Sequence, residues 1–232
     1  MNLADLSWLD VEDYLRREDR IILVTGSTEQ HGRHLPLGTD CIVPTAIAAE
    51  VSQRTGVLVG PTLNFGMALH HLAFPGSLAL KPATLAQVLT DIVESLYYHG
   101  FRRVLVLNGH GGNVAALECA LPLLMQRAGL QVKLGHWWKE PVVAAIARET
   151  VGGSGHAGPD EASAVLALRP ELVRLERALG ASPGPFVLNP QRLRELHPAG
   201  NVGPDPALGN AEAGKRLLAA AVEWYVQQVN EW

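Results

Sequence analysis

Short apolar runs alternate along the chain with longer stretches in which apolar residues recur every three or four positions. Ile21-Ile22-Leu23-Val24, introduced by Arg20 and closed by Thr25-Gly26-Ser27, predicts a strand buried on both faces. Val57-Leu58-Val59, stopped by Gly60-Pro61, predicts a second. Arg103 to Leu107 predicts a third, apolar throughout as in the middle of a parallel sheet, and Gln131 to Trp138 a fourth. Helical periodicity fills the intervals. Asp40 to Arg54 reads as a helix with Gly56 just beyond its end. Pro82 occupies a first-turn position ahead of Leu85, Val88, Leu89, Ile92, Val93 and Leu96, and Gly100 closes that helix. Asn113 caps a helix expected to run to about Ala128, kinked at Pro122, with Gly129 after it. Asp160 to Leu168 predicts a short helix before Arg169-Pro170. Asn210 to Gln228 predicts a closing one with Leu217, Leu218, Ala221, Val222 and Tyr225 on one side.

Strand and helix in regular alternation mean an α/β layered fold with a mostly parallel sheet. The length, 232 residues, fits one domain. Ser182 to Leu208, rich in Pro and Gly, reads as a long surface connection. A hydrophobic share of 47% with 18% charged residues excludes wholesale disorder. Nineteen basic against 23 acidic side chains leave a net charge of −4, so no basic surplus exists to neutralise nucleic-acid phosphates. No run approaches the ~20 apolar residues of a membrane span. The acidic N-terminal stretch lacks the pattern of a signal peptide. Cys41 and Cys119 form neither a disulfide framework nor a zinc ribbon. They read as small buried residues in a reducing cytoplasm, the expected location.

Three polar loops follow the predicted strands: Gly26-Ser27-Thr28-Glu29-Gln30-His31-Gly32, continuing to Asp40; Asn108-Gly109-His110-Gly111-Gly112-Asn113; and Gly155-His156-Ala157-Gly158-Pro159-Asp160-Glu161. Loops that follow the strands of a parallel sheet share one edge, the usual ligand edge. In extended backbone Glu29 and His31, two apart, project to the same side. Asp40 opens a helix, where the N-terminal dipole favours a carboxylate. Each of these groups taken alone is equally well a helix cap or a hydrogen-bonded loop histidine; the joint pattern points to a shared centre. Three gathered carboxylates carry −3, which two divalent cations and one bridging hydroxide bring to zero. Without such counter-charge at least one pKa would rise strongly. Oxygen and imidazole ligands without thiolate suit Zn, Mn or Fe. Two such cations about 3.5 Å apart, with Asp40 bridging, would hold a water of lowered pKa as nucleophile.

These loops, with His71 and Phe74-Pro75-Gly76, resemble in order and spacing the signatures of the creatininase (creatinine amidohydrolase) family, from about Leu6 to the last helix. The resemblance implies a three-layer α/β/α sandwich, two divalent metal ions per subunit, hydrolysis of a small-molecule amide, and a homo-oligomer, often a hexamer. It assigns Glu29 and His110 to one metal, His31 to the other and Asp40 to both, and makes His156 the catalytic histidine that carries a proton to the leaving nitrogen. Creatininase itself has a glutamate where this chain has Gly112, a second where it has Gly155, and a pocket tryptophan near Gly152. Glu161 is the candidate for the missing metal carboxylate and for a catalytic role beside His156. His71, Gly111 and Trp137 (or Trp138) are expected to line the substrate pocket, with His70 facing solvent. His34, His99, His136 and His197 read as structural, and Arg102 and Arg103 as a solvated edge. Trp224 and Trp232 are apolar residues available for an oligomer interface. The NGHGGN loop is similar to two other branches: formamide hydrolases of archaeal flavin and deazaflavin biosynthesis, and the peptidase that trims the mycofactocin precursor. The absent carboxylates at Gly112 and Gly155 leave a third reading, a non-catalytic metal-binding scaffold.

Overall fold

The computed structural model describes residues Met1–Trp232. Four strands, β1 (Arg20–Thr25), β2 (Leu58–Val59), β3 (Arg103–Asn108) and β4 (Gln131–His136), form one sheet in the order β2-β1-β3-β4, with every pairing parallel. Parallel neighbours need a crossover, and helices supply each one: α2 (Thr39–Thr55) between β1 and β2, α3 (Pro82–His99) between β2 and β3, and α4 (Val114–Leu124) between β3 and β4. The apolar runs of β1 and β3 serve two cores at once. Ile22, Val24, Leu105 and Leu107 face one, and Ile21, Leu23, Val104 and Val106 the other. On the first face lie α2, α5 (Pro141–Val151), α6 (Pro159–Leu168) and α8 (Ala211–Asn230). On the second lie α1 (Trp8–Leu15), α3 and α4. The result is the expected three-layer α/β/α sandwich.

Chain order along the sheet reverses between β1 and β3, since β2 lies to one side of β1 and β4 beyond β3. A crevice opens at such a point outside the carboxyl ends of the strands. Thr25 and Asn108 end the two strands in register there, joined by a 3.1 Å contact between Thr25 Oγ1 and Asn108 Oδ1. Gly109 follows at once. A Cβ on it would stand 2.0 Å from the Asp40 carbonyl oxygen, so only glycine lets the first turn of α2 dock against the end of β3.

Several expectations are corrected. The last strand stops at His136, and Trp137–Lys139 wind into a 3-10 turn. The fourth helix ends at Leu124, soon after Pro122 removes a backbone donor. Ser182–Leu208 is not a bare connection: it holds α7 (Pro190–Leu196), the buried His197 braces it internally with Nδ1 2.8 Å from Ser182 Oγ, and the Val202 N–H ties it to the His156 carbonyl at 2.9 Å. Cys119 is exposed and Cys41 only half-buried. Arg103 is no solvated edge, since it pairs with Asp19 and Glu18. Trp224 and Trp232 pack against the protein's own core, where Trp232 also lies under Lys133. Helices α1, opened by a Ser7–Asp10 capping box, and α5 were not anticipated. No helix is long and apolar enough to cross a membrane.

Candidate metal centre

The loop after β1 carries Glu29 and His31 to the crevice with 0% exposure, and α2 brings Asp40 up beside them. The two Asp40 oxygens face different imidazoles: Oδ1 lies 3.0 Å from His31 Nε2, and Oδ2 lies 3.0 Å from His110 Nδ1. His31 Nδ1 stands 3.1 Å from the Glu29 carbonyl oxygen. A carbonyl only accepts, so Nδ1 donates, and this aims Nε2 at the centre. His110 Nε2 is held likewise, 3.1 Å from the Met67 carbonyl, which turns Nδ1 towards Asp40. Glu161, in the first turn of α6, reaches to 3.7 Å from His31 Nε2 and accepts a hydrogen bond from the Ala157 backbone N–H. His156 approaches from the loop before α6, its Nδ1 3.7 Å from Glu29 Oε1. Ala157, the residue after it, has φ of 48°, a conformation that costs a non-glycine residue energy and is typical of functional loops.

Five of the expected residues, Glu29, His31, Asp40, His110 and Glu161, therefore gather with His156 around one point. The sequence reading missed the closeness of His71 to that point. Its Nε2 is 3.2 Å from Glu29 Oε1. His70 is also buried rather than solvent-facing, stacked 6.0 Å from the His110 ring. Both sit in a single 3-10 turn, Leu69–His71, too short for any periodicity to flag. Gln30 was also passed over, although it lies between Glu29 and His31.

The charges show what the cup is built for. No lysine or arginine lines it, so imidazoles alone answer the carboxylates. Burial works to raise the Glu29 carboxyl, but His110 and His71 hold it well below the usual range. Burial opposes charge on His31, yet Asp40 and Glu161 lift it to about 10. His110 is likewise held well above its ordinary value, against burial, by Glu29 and Asp40. Glu161, with burial dominant over the attraction of His31, is pushed well above the carboxylate range. His156 is pushed well below the histidine range by burial and by His71 and His31. Despite these close approaches, both Glu29 oxygens and Asp40 Oδ2 lack a well-aligned hydrogen-bond partner. They converge as ligand atoms converge on a cation, and the triads Glu29–His31–Asp40 and His31–His156–Glu161 each fall within ligating reach of a common point. The donor set fits divalent metal.

Beyond the cup lies a cavity of about 600 Å³, lined among others by Met67, His70, His71, Gly111, Trp138 and Phe186. Its size is that of a small-molecule site. His71 and Gly111 stand where they were expected. Trp137 does not: it is 1% exposed and belongs to the core, while the next residue in the 3-10 turn, Trp138, takes the wall position. Gly112 explains why no carboxylate projects from that loop. A Cβ there would meet His110 Nε2 and the Met67 carbonyl oxygen, each at 2.3 Å, so the space already belongs to the His110 ring.

A family model described as creatinine amidohydrolase matches residues 4–229. This chain belongs to the creatininase family. By that membership it is a hydrolase of carbon–nitrogen amide bonds with a divalent-metal site. It is 31% identical to the creatinine amidohydrolase of Pseudomonas putida, over 99% of this chain and 96% of that one. It is 34% identical to the mycofactocin precursor peptide peptidase of Mycobacterium tuberculosis, over 91% and 85% respectively. Among solved structures it is similar to a creatininase variant described as Zn-Zn type, with a TM-score of 0.83 and 28% identity over 99% of this chain and 97% of that one.

Proposed function

We propose that residues 1–232 form one amidohydrolase domain that holds two divalent cations, Zn, Mn or Fe, and cleaves the amide bond of a small molecule. Glu29 and His110 would hold one cation, His31 and Glu161 the other, and Asp40 would bridge them. The observation that carries this reading is the split of Asp40, one oxygen 3.0 Å from His31 and the other 3.0 Å from His110, with Glu29 buried beside them and unpartnered. Bound there, the cations would polarise the substrate carbonyl and lower the pKa of the attacking water. The chain's own groups do the rest. Hydrogen bonds to the carbonyls of Glu29 and Met67 orient the two ligand imidazoles. The Ala157 N–H steadies Glu161. His156 carries a proton to the leaving nitrogen, a transfer worth about 10²- to 10⁴-fold in rate. Glu161 supports that step by anchoring the turn that follows His156.

Creatinine itself fits the pocket poorly. Gly152, near which creatininase has a tryptophan, closes α5 and lies outside the cavity lining, so one aromatic wall is missing. A roughly 600 Å³ cavity faced by Met67, Trp138, Phe186 and Leu188 suits a larger amide, and the peptidase relative supports a second reading, a peptide substrate. Membership of an amidohydrolase family leaves the non-catalytic scaffold without support, and Glu161, 3.7 Å from His31 Nε2, supports a complete ligand set despite Gly112. The test is metal content together with turnover on cyclic amides, formamides and short peptides. Metal-dependent cleavage of any of them supports the proposal. Stoichiometric metal retained in both Glu29→Ala and His110→Ala would overturn the ligand assignment. We also infer self-association, as in the family, and light scattering that finds a monomer at micromolar concentration would refute it.

A further inference from the structure

The cavity beside the centre is lined by four carboxylates and by no lysine or arginine. Three of the four already have partners. Asp40 and Glu161 face His110 and His31, and Asp160 accepts from the Gly155 N–H at 3.2 Å. Glu118 is different: it is exposed on α4 and enters no ion pair or hydrogen bond within the chain. Lys139 is near enough to act on the same His136 ring as Glu118, but it lies outside the cavity lining. Helix α4 starts at the floor, just after His110, and climbs towards solvent. Val114, Ala115 and Glu118 fall three and four positions apart, on one helical face, and all three line the cavity. Glu118 therefore stands one helical turn, roughly 6 Å, above Val114. Trp138 borders the same lane, since a Cβ on Gly111 at its foot would lie 4.0 Å from Trp138 Cζ2.

We propose that Glu118 is a specificity-determining residue that selects amides whose acyl group carries a primary ammonium at the end of a short aliphatic tail. This rests on the reading of the floor as a metal-dependent amide site and names the substrate class it takes. The tail would run up α4 past Gly111, Val114 and Ala115, which offer it only small or apolar contacts. At the top a free carboxylate and an indole both favour a cation. An anionic tail would meet no positive side chain anywhere on the wall. The lane suits the acyl side because the leaving nitrogen belongs with His156. That ring and Phe186, with centroids 6.3 Å apart, form the part of the cavity left for the leaving group.

The experiment is titration calorimetry on zinc-loaded and metal-free enzyme with two probes, 5-aminopentanohydroxamic acid and hexanohydroxamic acid. Both carry a metal-chelating head on an acyl tail of the same length, and they differ only in a terminal ammonium in place of a methyl group. Zinc-loaded wild type is expected to bind the ammonium probe about 5- to 20-fold more tightly. Glu118→Gln, an exposed substitution of the same shape, is expected to remove the difference, and Glu118→Lys to reverse it. Equal binding of the two probes by wild type, or tighter binding of the methyl probe, overturns the selection and leaves the metal site standing. A preference retained in Glu118→Gln overturns the assignment to Glu118. Failure of zinc to strengthen binding of either probe overturns the amide-site reading and the selection with it, so the two are told apart.

Discussion

Glu29 and His31 sit on the loop after β1, His110 two residues past the end of β3, and Asp40 on the first turn of α2. Met67, Trp138, Phe186 and Leu188 hang from loops and short turns around them. The first group is buried almost completely, whereas Phe186 is 45% and Leu188 70% exposed. Groups locked by burial against the ends of a rigid sheet can be held to the tolerance that cation binding demands. Loops vary freely and can change what is bound without disturbing what is done to it. The division assigns chemistry to the floor of the cavity and choice of substrate to its wall. It also accounts for a floor legible from a family signature around a wall that departs from creatininase near Gly152.

The comparison can be broken most decisively at the floor. Glu29→Ala removes a carboxylate aimed at the proposed centre and leaves its imidazoles without their partner. It should lower kcat/KM by about three orders of magnitude or more and reduce bound metal, measured by steady-state turnover and elemental mass spectrometry. His156→Ala should cost about 10²- to 10⁴-fold in kcat with metal content unchanged if, as proposed, the ring serves the proton and not the cation. Loss of metal in that variant would merge two roles that the account keeps apart.

Smaller effects sharpen the boundary. His71→Phe keeps a flat ring but removes the nitrogen 3.2 Å from Glu29, and should weaken metal affinity by about 10- to 100-fold in a chelator competition, as loss of a group supporting a ligand typically does. Gly112→Ala should act in the same direction, because its Cβ displaces His110. Phe186→Ala on the wall should change KM by about tenfold or less and leave both kcat and metal content near wild type. A large loss of metal there would erase the distinction between floor and wall.

The sequence disclosed the floor better than the wall, for physical reasons. The two-residue step from Glu29 to His31 fixes a shared direction in extended backbone, and glycine flanks on His110 mark a close approach, so both could be read before any coordinates. The alternation of apolar runs with helical periods likewise declared the sandwich. Helix α5 announced itself only through Pro141 and the terminal Gly152, and α1 only through its Ser7–Asp10 box. Both are short, and their punctuation was easier to overlook than a long period. Gln30 and His71 meet across 41 positions, and Gln30 meets Gly200 across 170. No local spacing encodes such contacts. The choice between Trp137 and Trp138 turned on a strand that ends one residue before the pair, a boundary finer than hydrophobic pattern resolves.

Anomalous diffraction from crystals of the zinc-loaded enzyme tests the central claim most directly. Two anomalous peaks per chain are expected, about 3.5 Å apart, with Asp40 between them, Glu29 and His110 on one, and His31 and Glu161 on the other. A single peak, or peaks away from these side chains, would contradict it.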